Sequence, residues 1–105
     1  MELVTEVYRA TQKLPKEELF GLMSQIRRAA ISIPSNIAEG KGRLSKGEFR
    51  HFLGNARGSL AELETQILIA QNLHYFDEAE ANRLLVMVEE TGKVLNGLLS
   101  AVKKQ

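Results

Sequence analysis

The chain has 105 residues with a formal net charge of +1 and no cysteine. This is the size of a single domain that buries roughly 60 to 65% of its unfolded surface. The absence of cysteine excludes a disulfide framework, a thiolate nucleophile and a cysteine-ligated zinc site, and points to a reducing cytoplasm. The start, Met1-Glu2-Leu3-Val4-Thr5-Glu6, carries acids where a signal peptide needs basic residues, and no apolar run approaches the roughly 20 residues of a membrane span.

Apolar residues recur at three- and four-residue steps and only two prolines interrupt them, so the pattern is helical throughout. The first helix is expected over about Glu2 to Lys13, with Leu3, Val4, Val7, Tyr8 and Thr11 on one stripe. A second is expected from Pro15, whose missing N–H suits a first turn and is followed by Glu17 and Glu18. Its inner face is Leu19, Leu22, Met23, Ile26, Ala30, Ile33 and Ile37. The apolar phase survives Pro34, which predicts a kinked helix continuing to about Glu39, with a break at Ile33 as the alternative. Ser32 or Ser35 is placed to bond backbone groups near that kink. The glycines of Gly40-Lys41-Gly42-Arg43-Leu44 cap the helix; the loop is too short, and lacks the strand, for a phosphate-binding loop.

Ser45-Lys46-Gly47-Glu48 has the S-x-x-E form of a capping box and opens the third helix. Phe49, Phe52, Leu53, Ala56, Leu60, Leu63, Ile67 and Ala70 carry its stripe to about Asn72, roughly 27 residues or about 40 Å. After the Leu73-His74-Tyr75-Phe76 corner, Asp77 caps a fourth helix with Glu80 three residues on. The stripe there is Ala81, Leu84, Leu85, Val88, Leu95, Leu98, Leu99 and Val102. Four amphipathic helices joined by short turns imply one all-α domain over residues 1–105, an antiparallel up-down four-helix bundle.

Charge is unevenly spread. Residues 24–58 hold Arg27, Arg28, Lys41, Arg43, Lys46, Arg50 and Arg57 against Glu39 and Glu48, whereas residues 59–92 hold seven acids against Arg83 alone. The seven cations are the candidate nucleic-acid-binding residues, expected to gather near one end of the bundle and to contact phosphates in a salt-sensitive, largely sequence-independent way. The competing reading is a solvated face with internal ion pairs, Arg27 and Arg28 reaching Glu62 or Glu64. Phe49 and Phe52 belong to the core stripe, so no base-stacking platform accompanies the charge.

The other constellations are weaker. Glu48-Phe49-Arg50-His51 has E-x-x-H spacing, but a di-iron bundle needs a second copy and glutamates from two further helices, and His74 follows Gln71 instead. No metal or other cofactor is expected. The serines lie in helices or caps without a G-x-S-x-G elbow, so no enzyme is expected. Asn36, Glu39, Ser59, Glu62 and Gln66 are read as an inter-helix hydrogen-bond network in preference to a ligand site. Gly54 and Gly58 fall with Ala61 on a strip of small residues off the core stripe. Each glycine costs roughly 1 kcal/mol against alanine, which asks for a compensating close approach by another helix or subunit.

Gln25-Ile26-Arg27-Arg28-Ala29-Ala30-Ile31-Ser32-Ile33-Pro34-Ser35-Asn36-Ile37-Ala38-Glu39-Gly40, then Glu48-Phe49 and Gly58-Ser59-Leu60-Ala61-Glu62-Leu63-Glu64-Thr65-Gln66, resembles the four-helix-bundle family encoded in bacterial 23S rRNA intervening sequences, also labelled S23 ribosomal protein. The resemblance covers nearly the whole chain. It implies a ring-like homopentamer, in a family whose molecular role is largely unassigned and which is not a standard ribosomal component. That family is similar in turn to the accessory variability determinant protein of diversity-generating retroelements, a basic pentameric barrel that binds nucleic acid and partners a reverse transcriptase. Members of the family usually carry additional residues ahead of the position of Met1, so the resemblance implies that the first helix here is truncated or its start misassigned. The expectation is a non-enzymatic oligomer presenting a basic surface to RNA or DNA. The alternative is an adaptor holding a protein partner by its acidic or apolar surfaces.

Overall fold

In the computed structural model, which describes residues 1–104, the chain forms four α-helices: α1 (Glu2–Thr11), α2 (Leu22–Lys41), α3 (Lys46–Asn72) and α4 (Glu78–Lys104). Among the described residues there is no strand. The molecule measures 45 × 24 × 18 Å, the long dimension set by the two 27-residue helices at 1.5 Å per residue. Ile26, Ile33, Leu53, Leu63, Ile67 and Leu84 are fully buried between the helices, and Phe76 closes the α3–α4 corner over them.

Each helix end has an identifiable cause. The Ser45 hydroxyl accepts from the Glu48 N–H at 3.1 Å, and the Asp77 carboxylate accepts from the Glu80 N–H at 2.8 Å. Both caps fall where the sequence places them. α3 ends through His74, whose φ of 64° turns the backbone left-handed and sends the Tyr75 and Phe76 N–H groups back to the Ala70 carbonyl, at 2.9 and 3.3 Å. α2 runs unbroken through Pro34, as the apolar phase requires. Beside it the Asn36 amide donates to the Ser32 carbonyl (2.8 Å) and hydroxyl (2.9 Å), and Ser32 shares a 2.7 Å hydrogen bond with Ser59 of α3. Part of the expected inter-helix network therefore forms, though Glu39, Glu62 and Gln66 lie outside it. Gln66 donates only to Glu62 of its own helix, and its amide oxygen is buried without a partner.

The start of α2 departs from expectation. Pro15 is extended, Lys16–Glu18 form a single 3₁₀ turn, and α2 begins at Leu22. Glu18 is the reason: its carboxylate accepts from the Leu22 N–H at 3.1 Å and from the Tyr75 hydroxyl at 2.8 Å. One side chain thus caps α2 and ties its entry to the α3–α4 corner, a local bond that competes with continued helix. Leu19, expected in the core, is 48% exposed in this connector, and Phe20 is 93% exposed.

Gly40 marks the closest approach of α2 to α3, since a Cβ there would lie 2.9 Å from both Phe49 Cδ1 and Phe52 Cβ. Gly40→Ala is expected to lower stability by about 1 kcal/mol, the cost of overpacking exceeding the gain in helix propensity. Urea unfolding measures it, and a stabilised variant would show that the two phenylalanines yield freely.

Candidate functional site

The seven cations do not converge. Arg27 lies near the start of α2, some fourteen residues or about 21 Å along the helix from Lys41. It bonds to α1 and not to Glu62 or Glu64, the acids expected to pair with it. Its Nε donates to the buried Thr11 hydroxyl at 2.8 Å, its Nη2 to the Tyr8 carbonyl at 3.3 Å, and its guanidinium lies 4.5 Å above the Tyr8 ring. Arg27 therefore fastens α1 to α2, and those donors are unavailable to a phosphate. Arg28, its exposed neighbour, borders an open groove of about 460 Å³ between α1 and α2 whose apolar lining includes Leu19, Phe20, Met23 and Ile31.

Lys41, Arg43, Lys46 and Arg50 do come together, because Gly42 ends α2 and Ser45 begins α3 within a few residues. All four are exposed. Arg43 has a structural role, pairing with Glu39 of α2 and, at 3.8 Å, with Glu48 of α3, while its guanidinium sits 5.0 Å over the Phe52 ring. It staples the turn from both sides. Lys41 at the end of α2 and Arg50 in the first turns of α3 are exposed, and no ion pair among the described residues engages them. His51, alongside, packs edge-on against Phe52 at 5.5 Å. Glu48 serves Ser45 and Arg43.

Arg57 lies elsewhere again, on the edge of a second groove of about 640 Å³ between α3 and α4. Leu60, Ala61, Leu68, Leu85, Val88 and Gly92 give it an apolar lining, and Glu64, Glu89 and Lys93 charge its rim. Gly54 and Gly58 share a helical face with Ala61, but a methyl group added at either glycine would meet, beyond its own stretch of helix backbone, no described atom within 4 Å. No helix of the same chain exploits the missing side chains.

An ionic cluster between α1 and α4 escapes a sequence reading. Glu80, 8% exposed, accepts from Arg9 at 2.9 Å and from Lys13 at 3.1 Å. Arg9 also holds Glu6 at 2.9 Å, and Arg83 of α4 pairs with Glu6. The Arg9 hydrogen bond holds the Glu80 carboxyl below the ordinary glutamate range against the opposing effect of burial. Arg83 first, then Arg9, does the same for Glu6. In sequence Glu80 stands only as the residue three after an N-cap. The available signal is its phase, four residues before the core position Leu84.

These contacts describe a helical body with open apolar grooves beside α2 and between α3 and α4 and a basic corner between α2 and α3. The sequence profile of 23S rRNA-intervening sequence proteins matches residues 1–97. The chain belongs to that family. Among solved structures it is similar to a protein of unknown function from the S23 ribosomal protein family of Bacteroides thetaiotaomicron VPI-5482. The TM-score is 0.86 at 21% sequence identity, covering 93% of this chain and 92% of that one. At that identity the likeness speaks for the fold alone. No curated protein matches the chain. Among the described residues of this family member there is no group of three or more histidine, aspartate or glutamate side chains placed to hold a metal ion, and no helix long and apolar enough to cross a membrane.

Proposed function

We propose that the chain is a non-enzymatic, homo-oligomeric scaffold that presents its α2–α3 corner to RNA or DNA without sequence specificity. The observation that carries the reading is that corner: Lys41 and Arg50, exposed and outside any ion pair among the described residues, flank a turn that Arg43 braces with Glu39 and Glu48, with Lys46 exposed beside them. Cations held on a rigid turn bind phosphates and release their counterions, and repetition around a ring of five copies would multiply the field. In this reading the helices run up and down. Gly40 beside Phe49 and Phe52, with Ser32 bonded to Ser59, supports opposite senses for α2 and α3. Glu6 with Arg83, and Lys13 with Glu80, support the same for α1 and α4.

The test is titration into labelled structured RNA and duplex DNA at low and moderate salt, with light scattering to fix the oligomeric mass. Lys41→Glu, Lys46→Glu and Arg50→Glu together, leaving the brace at Arg43 intact, are expected to weaken binding at least tenfold, roughly 1.4 kcal/mol, and to flatten its salt dependence. Absence of binding to either nucleic acid at low salt overturns the proposal.

A specific observation favours the adaptor as the second reading. The Phe20 ring, 93% exposed, stands beside the α1–α2 groove with Arg28 at its edge, an apolar anchor with a charged rim of the kind protein interfaces use.

A further inference from the structure

We propose that Leu44 is a wedge that enters a gap between stacked bases, making the basic corner selective for bulged or kinked RNA over smooth duplex. The proposal rests on the corner's reading as a nucleic-acid surface and adds to it the class of target. Leu44 is fully exposed (105%) between Arg43 and Ser45. A lone exposed leucine is ordinary on a protein surface, so exposure alone assigns it nothing. Its mounting and its surroundings distinguish it.

Both residues flanking Leu44 are fixed. On one side Arg43 is held by Glu39, Glu48 and the Phe52 face, and its N–H returns to the Gly40 carbonyl at 3.2 Å. Just before it the Gly42 N–H reaches the Ala38 and Glu39 carbonyls, at 3.2 Å each. On the other side the Ser45 hydroxyl is engaged with the Glu48 N–H. These bonds hold the backbone on both sides of Leu44, whose side chain stands fully exposed between them. On binding, the side chain's own rotamers are what remains to be ordered. Lys41, Lys46 and Arg50 are exposed around it, so a polyanion drawn to the corner meets the leucine as it arrives.

The number of apolar side chains decides between polyanions. Stable attachment to a lipid surface takes a broad apolar face or more than one anchor, whereas a base step is opened by a single aliphatic side chain. The two nearest phenylalanines, Phe49 and Phe52, are half-buried against α2, and the His51 ring packs edge-on against Phe52, so the fully exposed apolar side chain at the corner is Leu44. A wedge must unstack an intact duplex before it can enter, but finds a gap ready-made at a bulge, and the difference is the expected selectivity.

The experiment compares a single-bulge RNA hairpin with its fully paired counterpart, each carrying 2-aminopurine at the same step. Both are titrated with the full chain and with Leu44→Ser, whose fold is verified by circular dichroism. The unaltered chain is expected to prefer the bulged hairpin by roughly tenfold and to raise its 2-aminopurine fluorescence. Leu44→Ser is expected to lose the preference and the fluorescence rise while keeping the same salt dependence, since no charge is removed. Salt-dependent binding without discrimination, or discrimination that survives Leu44→Ser, overturns the wedge and leaves the basic corner standing. No binding to either RNA at low salt overturns both. Binding to phosphatidylserine vesicles in place of RNA overturns the wedge in favour of a lipid surface.

Discussion

Glu80→Ala is expected to lower stability by about 2 kcal/mol and to loosen α1 before the rest of the chain unfolds. The carboxylate is nearly buried at the α1–α4 contact, where Arg9 of α1 and Lys13 of the turn after it converge on it and Arg83 of its own helix stands 3.8 Å away. Removing it deprives Arg9, Lys13 and Arg83 of a shared carboxylate, Glu6 still pairing with Arg9 and Arg83. Those cations are roughly half exposed and can turn out to water, which keeps the loss below the 3 to 5 kcal/mol typical of fully buried pairs. α1 has little else to compensate. It is ten residues long, too short to be stable alone, and otherwise depends on Leu3, Val7, Ala10 and the Thr11–Arg27 bond. Hydrogen exchange should show the α1 amides losing protection first, and unfolding of all four helices together with no early loss of α1 would contradict the assignment.

The same cluster sets a pH dependence. Folded Glu80 and Glu6 titrate below their ordinary range, so between the folded and ordinary values the unfolded chain binds more protons. Their contribution is complete above the ordinary glutamate pKa and disappears as pH falls through the depressed folded values. Protection of α1 should hold level from pH 7 to about 5 and decline below about 4. In Glu80→Ala the acid-induced decline should be smaller, because one of the two titrating groups is gone.

Periodicity and caps made the helices legible. Leu53, Leu63, Ile67 and Leu84 are buried where their spacing puts them, and Ser45 and Asp77 cap where S-x-x-E and the post-corner aspartate predict. The entry to α2 was not legible. Pro15-Lys16-Glu17-Glu18 has the composition of a first helical turn, yet Glu18 is committed to a tyrosine 57 positions away, a tertiary contact that no local pattern carries. The basic set was half legible for a related reason. Spacing along the chain brings Lys41, Arg43, Lys46 and Arg50 to one corner because a short turn separates them. It says nothing of whether a guanidinium faces solvent, and Arg27 and Arg43 proved to be braces. Charge counting treats a brace and a ligand alike; only the partner atoms separate them.

The small-residue strip yields the second large effect, because stability and assembly should move in opposite directions. Gly54 and Gly58 lie inside α3, each costing roughly 1 kcal/mol relative to alanine, and the space beside both is open. If the single chain were the only constraint, Gly54→Ala with Gly58→Ala would simply gain up to about 2 kcal/mol of helix stability. The scaffold reading adds a cost. Ala61 continues the strip to the α3–α4 groove, and a surface without side chains lets a helix of a second copy approach to backbone distance, which two new methyl groups would hold away. The double variant is therefore expected to melt higher when dilute and to show a reduced mass by light scattering at concentrations where the unaltered chain is assembled. Higher stability with unchanged mass would remove the strip from any contact between copies. Lower stability in the dilute chain would mean that alanine is resisted at these positions within the protomer itself, against the open space beside them.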